Sequence, residues 1–296
     1  MKGIIIFCEG KSDVAFLSLL IKQIDFKDYK VKVEEMIKPL KEYFISQFDK
    51  YEYESNELLK RPILPWIYKK RESQGDNIYI LLYSMDGLGK IDNIKPIIES
   101  FIYQQNADET FGDDQLPFSK SILSFAFFID ADNIGIKERV ELIKKEFIKY
   151  FPEIEKLGHG KDAIVTTKVK PFKNIGCYVI TKEESEYGNL EDVLIPIMEK
   201  GKEEEIFNNA ENFLKKNNFV RYKPDKKGEK IKDENKTKSD LKKSIIGVAG
   251  QLECSGNDNT EIILNSSFLQ GKFDNDLKSL EIIEFIKKLR SEIRNK

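Results

Sequence analysis

The stretch Gly3-Ile4-Ile5-Ile6-Phe7-Cys8-Glu9-Gly10-Lys11-Ser12-Asp13 sets an unbroken apolar run against two acids and a glycine. A short continuous run of this kind, bounded by turn residues, is the pattern of a strand buried on both faces. Val14, Leu17, Ile21 and Ile24 then recur at helical spacing. The spacing predicts a strand over 3–8, an acidic turn, and a helix over 12–24 with Ser12 at its N-cap.

The same sentence of residues is written again further along. Phe125-Ala126-Phe127-Phe128-Ile129 runs into Asp130-Ala131-Asp132-Asn133-Ile134-Gly135, and Val140, Ile143, Phe147 and Ile148 follow at helical spacing. Between the two, Ile78-Tyr79-Ile80-Leu81-Leu82-Tyr83 leads through Asp86-Gly87-Leu88-Gly89-Lys90 to a helical pattern over 91–104. Repeated strand, loop and helix units predict an α/β fold with a parallel sheet flanked by helices, and ligands in such folds bind beyond the carboxyl ends of the strands. Glu9, Asp13, Asp130 and Asp132 are therefore expected to converge on one crevice.

Crowded carboxylates repel one another and stay ionised only where a cation or hydrogen bonds compensate them. An all-oxygen donor set suits Mg²⁺ or Mn²⁺ better than zinc. The expected chemistry is phosphoryl transfer.

Outside these units, a short strand is predicted near 30–36, and 37–76 reads as an insertion, helical to about Tyr51 and then irregular around Pro62, Pro65 and Trp66. The α/β core is expected over 1–181, with a further strand at 175–180. A mainly helical extension over 182–296 follows, with a short helix containing Val193, Leu194 and Ile197 that Asn189 could cap, and helices near 203–217, 239–250 and 276–294. Within it the lysine-rich segment 222–238 reads as a flexible loop.

Composition narrows the options. With 49 basic and 51 acidic residues the formal charge of −2 provides no global field for nucleic acid, so any such contact must rest on a local basic strip or on bound metal. One histidine, His159, and three scattered cysteines leave no zinc triad, no paired histidine base and no disulfide framework. No apolar run reaches the ~18 residues of a membrane span, and Glu9 interrupts the first one before it reads as a secretory signal, so the expected address is the cytoplasm.

The motifs Glu9-Gly10-x-x-Asp13, the Gly87-x-Gly89 loop and Asp130-x-Asp132-x-x-Gly135, in that order after successive strands, resemble those of the Toprim superfamily, which includes primases, topoisomerases and overcoming-lysogenization-defect nucleases. The resemblance covers roughly 1–150 and implies a Toprim-like sheet. It implies that Glu9 is catalytic or ligates metal, and that Asp130 and Asp132 bind Mg²⁺ or Mn²⁺, with Asp13 and Glu191 as further ligands. Gly10, Gly87 and Gly89 would line the bound group, and Lys243, or its neighbour Lys242, would stabilise phosphate charge. The activity it implies is a Toprim nuclease on DNA or RNA; a nucleotidyl transferase, or a non-enzymatic module binding nucleic acid or a partner ATPase, are the alternatives.

There are departures from the pattern. Phe128 stands two before Asp130 where the nuclease group tends to place a small polar residue, and the chain is too short and too poor in cysteine for the added domains of primases and topoisomerases. A P-loop is excluded because Ser84 and Ile91 stand where glycine and Ser or Thr are required. A haloacid-dehalogenase-like phosphatase with Asp130 as nucleophile is a minor alternative, set against Ile134 and the late position of the motif. Solvated loop acids are the plainest reading of all four carboxylates.

Overall fold

The computed structural model describes residues 1–54, 63–72, 75–111, 121–224 and 229–294. In chain order the first half runs β1 (Lys2–Cys8), α1 (Lys11–Gln23), β2 (Lys27–Asp28), α2 (Lys38–Glu54), β3 (Trp66–Arg71), β4 (Asn77–Ser84), α3 (Lys95–Phe111), β5 (Ile122–Asp130) and α4 (Ile136–Phe147). The second half continues with β6 (Asp162–Thr166), β7 (Phe172–Ile180), α5 (Leu190–Met198), α6 (Glu204–Lys216), β8 (Tyr222–Pro224), β9 (Lys230–Lys232), α7 (Glu234–Gly250), α8 (Asn259–Asn265) and α9 (Leu277–Arg294).

Seven strands form one mixed sheet in the order β2-β3-β4-β1-β5-β7-β6. The central four, β4, β1, β5 and β7, are parallel, while β3 and β6 add antiparallel margins. Alternation along β1 explains its place at the centre. Ile4, Ile6 and Cys8 join the core on one face, and Ile5 and Phe7 join the core on the other. Helices α1 and α5 to α9 cover the first face; α2, α3 and α4 cover the second. The C-terminal helices therefore share a core with the sheet. At Gly176 in β7 the approach of α9 is so close that an added Cβ would meet Phe285 Cζ at 2.8 Å.

This topology locates a crevice. From β1 the chain leaves through α1 on one face and returns on the β4 side, whereas from β5 it leaves through α4 on the opposite face and returns on the β7 side. Neighbouring strands whose crossovers diverge leave a gap at their carboxyl ends. Glu9 and Asp130 stand on its two rims.

Several elements differ from expectation, each for a physical reason. The strand expected near 30–36 is replaced by a 3₁₀ turn over Val33–Glu35 after the two-residue β2, because Val33 and Met36, three residues apart, both pack against the core of the second face. Within the segment read as an irregular insertion, Trp66–Arg71 pairs with β4; its lysines hide the period-2 signal, because their long stems lie along apolar surface. Residues 55–62 and 73–74 of that segment lie outside the described residues. The helix expected from Ile91 begins as a 3₁₀ turn over Leu88–Ile94, and its α-helical part starts at Lys95 beside Pro96, which lacks the donor a helix interior needs. Strand β6 and helix α8 were too short to show a period.

The lysine-rich stretch read as a loop contains the β8–β9 hairpin and the start of α7; residues 225–228 lie outside the described residues. The N-cap of α1 is Gly10, not Ser12, because the Asp13 carboxylate reaches back to the Gly10 N–H at 2.7 Å. Among the described residues no helix is long and apolar enough to cross a membrane.

Candidate active site

Three adjacent strands deliver the acids. Glu9 follows β1, Asp130 ends β5, and Glu191 opens α5 after β7, while Asp13 comes from the first turn of α1. The backbone locks the rims together: Glu9 N–H donates to Phe128 O at 3.0 Å, and Asp130 N–H donates to the Glu9 carboxylate at 3.1 Å. A side chain from the first acidic turn is thus bonded to the second.

Asp13 and Glu191 are only 5% and 4% exposed, too buried for solvated loop acids. Their electrostatics follow from that burial. Desolvation, then the Glu9 charge, push Asp13 up to about 8, against a 2.7 Å bond from Gly10 that pulls the other way. Asp130 is driven well above the carboxylate range by desolvation and by Asp13, Glu9 and Glu191. Burial likewise raises Glu9 and Glu191, although the Asp130 N–H and Lys243, respectively, oppose the shift.

Asp132 is arranged differently. Its backbone adopts φ of 49° and forms an isolated bridge with Gly188, whose N–H and C=O meet Asp132 at 3.0 and 2.7 Å. Its carboxylate accepts from Arg139, a guanidinium 8% exposed in the first turn of α4. Sequence reading missed Arg139, whose only signal was a basic residue at the start of the helical pattern that follows Asp132.

The two lysines meet different sets of acids. Lys242 pairs with Asp192, whereas the exposed Lys243 lies within electrostatic reach of Glu191, Asp130, Asp240 and Asp13. Desolvation disfavours its charge, but those carboxylates outweigh it and raise its pKa. Of the glycines, Gly10 donates to Asp13 and Gly87, at φ of 105°, donates to Glu9 O at 2.7 Å. Gly89 stands in open space, apart from these contacts.

The donor set fits a hard divalent cation. Asp13 Oδ1, Asp130 Oδ1 and Glu191 Oε2 are each buried with no hydrogen-bond partner among the described residues. Buried carboxylate oxygens without a donor are costly, and a cation removes both the missing contact and the mutual repulsion. Among the described residues no three of these side chains are placed so that they could hold a metal ion together as they stand.

A family model described as Protein of unknown function (DUF3226) matches residues 4–289, and the chain belongs to that family. No curated protein and no solved structure matches it.

Proposed function

We propose that this DUF3226 protein is a Mg²⁺- or Mn²⁺-dependent phosphodiesterase of the Toprim type that cleaves nucleic acid. The observation that carries the reading is the orphaned oxygen on each of Asp13, Asp130 and Glu191, all buried at the carboxyl edge of the sheet. Uncompensated, such a cluster only destabilises the fold; with a cation it becomes a phosphate-reacting centre.

Asp13, Asp130, Asp132 and Glu191 would hold the metal. When bound, the ion lowers the pKa of an attacking water and offsets charge on the scissile phosphate. Glu9 contributes a carboxylate whose pKa burial raises, which suits a proton acceptor working nearer neutrality. Its bond from the Asp130 N–H fixes its orientation. Lys243 holds its proton under the influence of Glu191, Asp130, Asp240 and Asp13 and presents a positive charge to the phosphate. Arg139 keeps the Asp132 carboxylate oriented from the far side.

Incubation of the chain with labelled single- and double-stranded DNA and RNA, with and without Mg²⁺ or Mn²⁺, tests this directly. Divalent-dependent cleavage is expected, falling by about 10²–10⁴ in Glu9→Gln with the fold intact by circular dichroism. Incorporation of labelled nucleotide in place of cleavage would reassign the site to nucleotidyl transfer. Binding of Mn²⁺ without turnover of any polymer would leave a binding module, alone or with a partner ATPase.

A further inference from the structure

A second concavity lies away from the acids, at the sheet margin between β3, the second half of α1 and the end of α8. Its volume is about 500 Å³, within the ~300–1,000 Å³ of small-molecule sites. None of its lining residues is one of the clustered carboxylates.

Its walls are aromatic and its mouth is cationic. Trp66 and Tyr68 project from the same side of β3, two residues apart, and Leu19, Met36 and Leu264 complete the apolar surface. Tyr68 is buried, whereas Trp66 keeps 37% of its surface exposed although it is the only tryptophan of the chain. At the mouth Lys22 and Lys30 both reach Asp28, at 3.2 and 4.0 Å. One carboxylate set against two ammonium groups leaves a positive charge over. Lys22 also stands 5.7 Å from the Tyr68 ring centroid, which ties the charge to the aromatic wall.

A cavity walled by aromatic and aliphatic side chains, with surplus positive charge among its polar lining, is complementary to one kind of ligand: an aromatic ring system carrying an anion. We propose that this cavity binds a nucleotide, its base against Trp66 and Tyr68 and its phosphate at Lys22 and Lys30. The chemistry is shared by a free mononucleotide and by the 5′-phosphorylated end of a strand. This site stands independently of the reaction assigned to the carboxylates.

Because Trp66 is the sole tryptophan, its emission reports occupancy without a label. The intact chain, free of divalent metal, is titrated with adenosine and guanosine 5′-monophosphates and separately with 5′-phosphorylated oligonucleotides, with calorimetry in parallel. Saturable quenching with matching heat is expected. Mononucleotide binding assigns the site to free nucleotides, and binding of oligonucleotides alone assigns it to a strand end. Lys22→Met with Lys30→Met, both surface changes, should weaken binding roughly tenfold or more, and Glu9→Gln should leave it unchanged. Absence of quench and heat with either probe overturns the proposal, as does affinity indifferent to the two lysines or lost with Glu9→Gln.

Discussion

The turns after β1 and β4 lie on neighbouring strands at the same edge of the sheet, and each combines an acid with glycine. After β1, Glu9 and Asp13 are drawn inward, and Asp13 keeps an oxygen without a donor. After β4, the exposed Asp86 accepts from the Ser84 hydroxyl at 3.1 Å, as an ordinary solvated turn acid does. Residue type is nearly the same in the two; position in the strand order is not. Only the β1 turn faces β5 across the divergent crossovers, and only there is water excluded from several carboxylates at once. Chemical potential in this fold comes from what shares a crevice.

The sharpest way to break that comparison is to change a group inside the crevice and its twin outside. Lys243→Met should reduce divalent-dependent turnover by about 10²–10³, while Lys242→Met, which loses its pair with Asp192 and a weaker attraction to Glu191, should stay within about threefold. Steady-state rates on one labelled substrate decide it, and equal losses would erase the distinction between the two lysines.

Asp13 supplies a pH signature that follows from its burial. Its carboxyl titrates at about 8 when folded against 3.8 as the ordinary value, so the folded state binds that proton more tightly. Stability from this group is complete below about pH 4 and is lost as pH rises toward 8, by up to about 1.4 kcal/mol per unit. Asp13→Asn should therefore gain on the native chain in melting temperature across that range, and millimolar Mg²⁺ should shrink the gap. A difference that stays flat with pH, or narrows as pH rises, refutes the assigned environment.

Arg139→Met removes the partner of Asp132 and should cost about 1–3 kcal/mol in denaturant unfolding, since both groups are partly withdrawn from water. The smallest contrast lies in the β4 turn itself. Gly87→Ala, at φ of 105°, should cost about 1–2 kcal/mol, whereas Gly89→Ala, with nothing within 4 Å of the new methyl and no positive φ, should fall within about 0.5 kcal/mol. Equal melting curves for the two variants would remove the special role of Gly87.

Local pattern was enough for the parallel centre of the sheet. Ile4 to Cys8, Ile78 to Tyr83 and Phe125 to Ile129 are buried on both faces, so their apolar runs are continuous and readable in isolation. The marginal strands β3 and β6 escaped notice because one side of each faces solvent or a lysine stem, and their partners lie far away in sequence. Glu9, Asp13, Asp130 and Asp132 were visible because turn acids directly after buried strands stand out against the run before them. Arg139 was not, since a basic residue in a charged helix has many surface equivalents and only its burial against Asp132 distinguishes it.

The order of residues alone settled which acids sit at strand ends, because hydrophobic period and turn chemistry act over a few residues. Which of those acids lose water, which keep a bare oxygen, and which acids Lys242 and Lys243 meet depended on the packing of α5 and α7 over the sheet. Desolvation and Coulomb repulsion are set by distances between segments remote in the chain, and no local pattern encodes a distance.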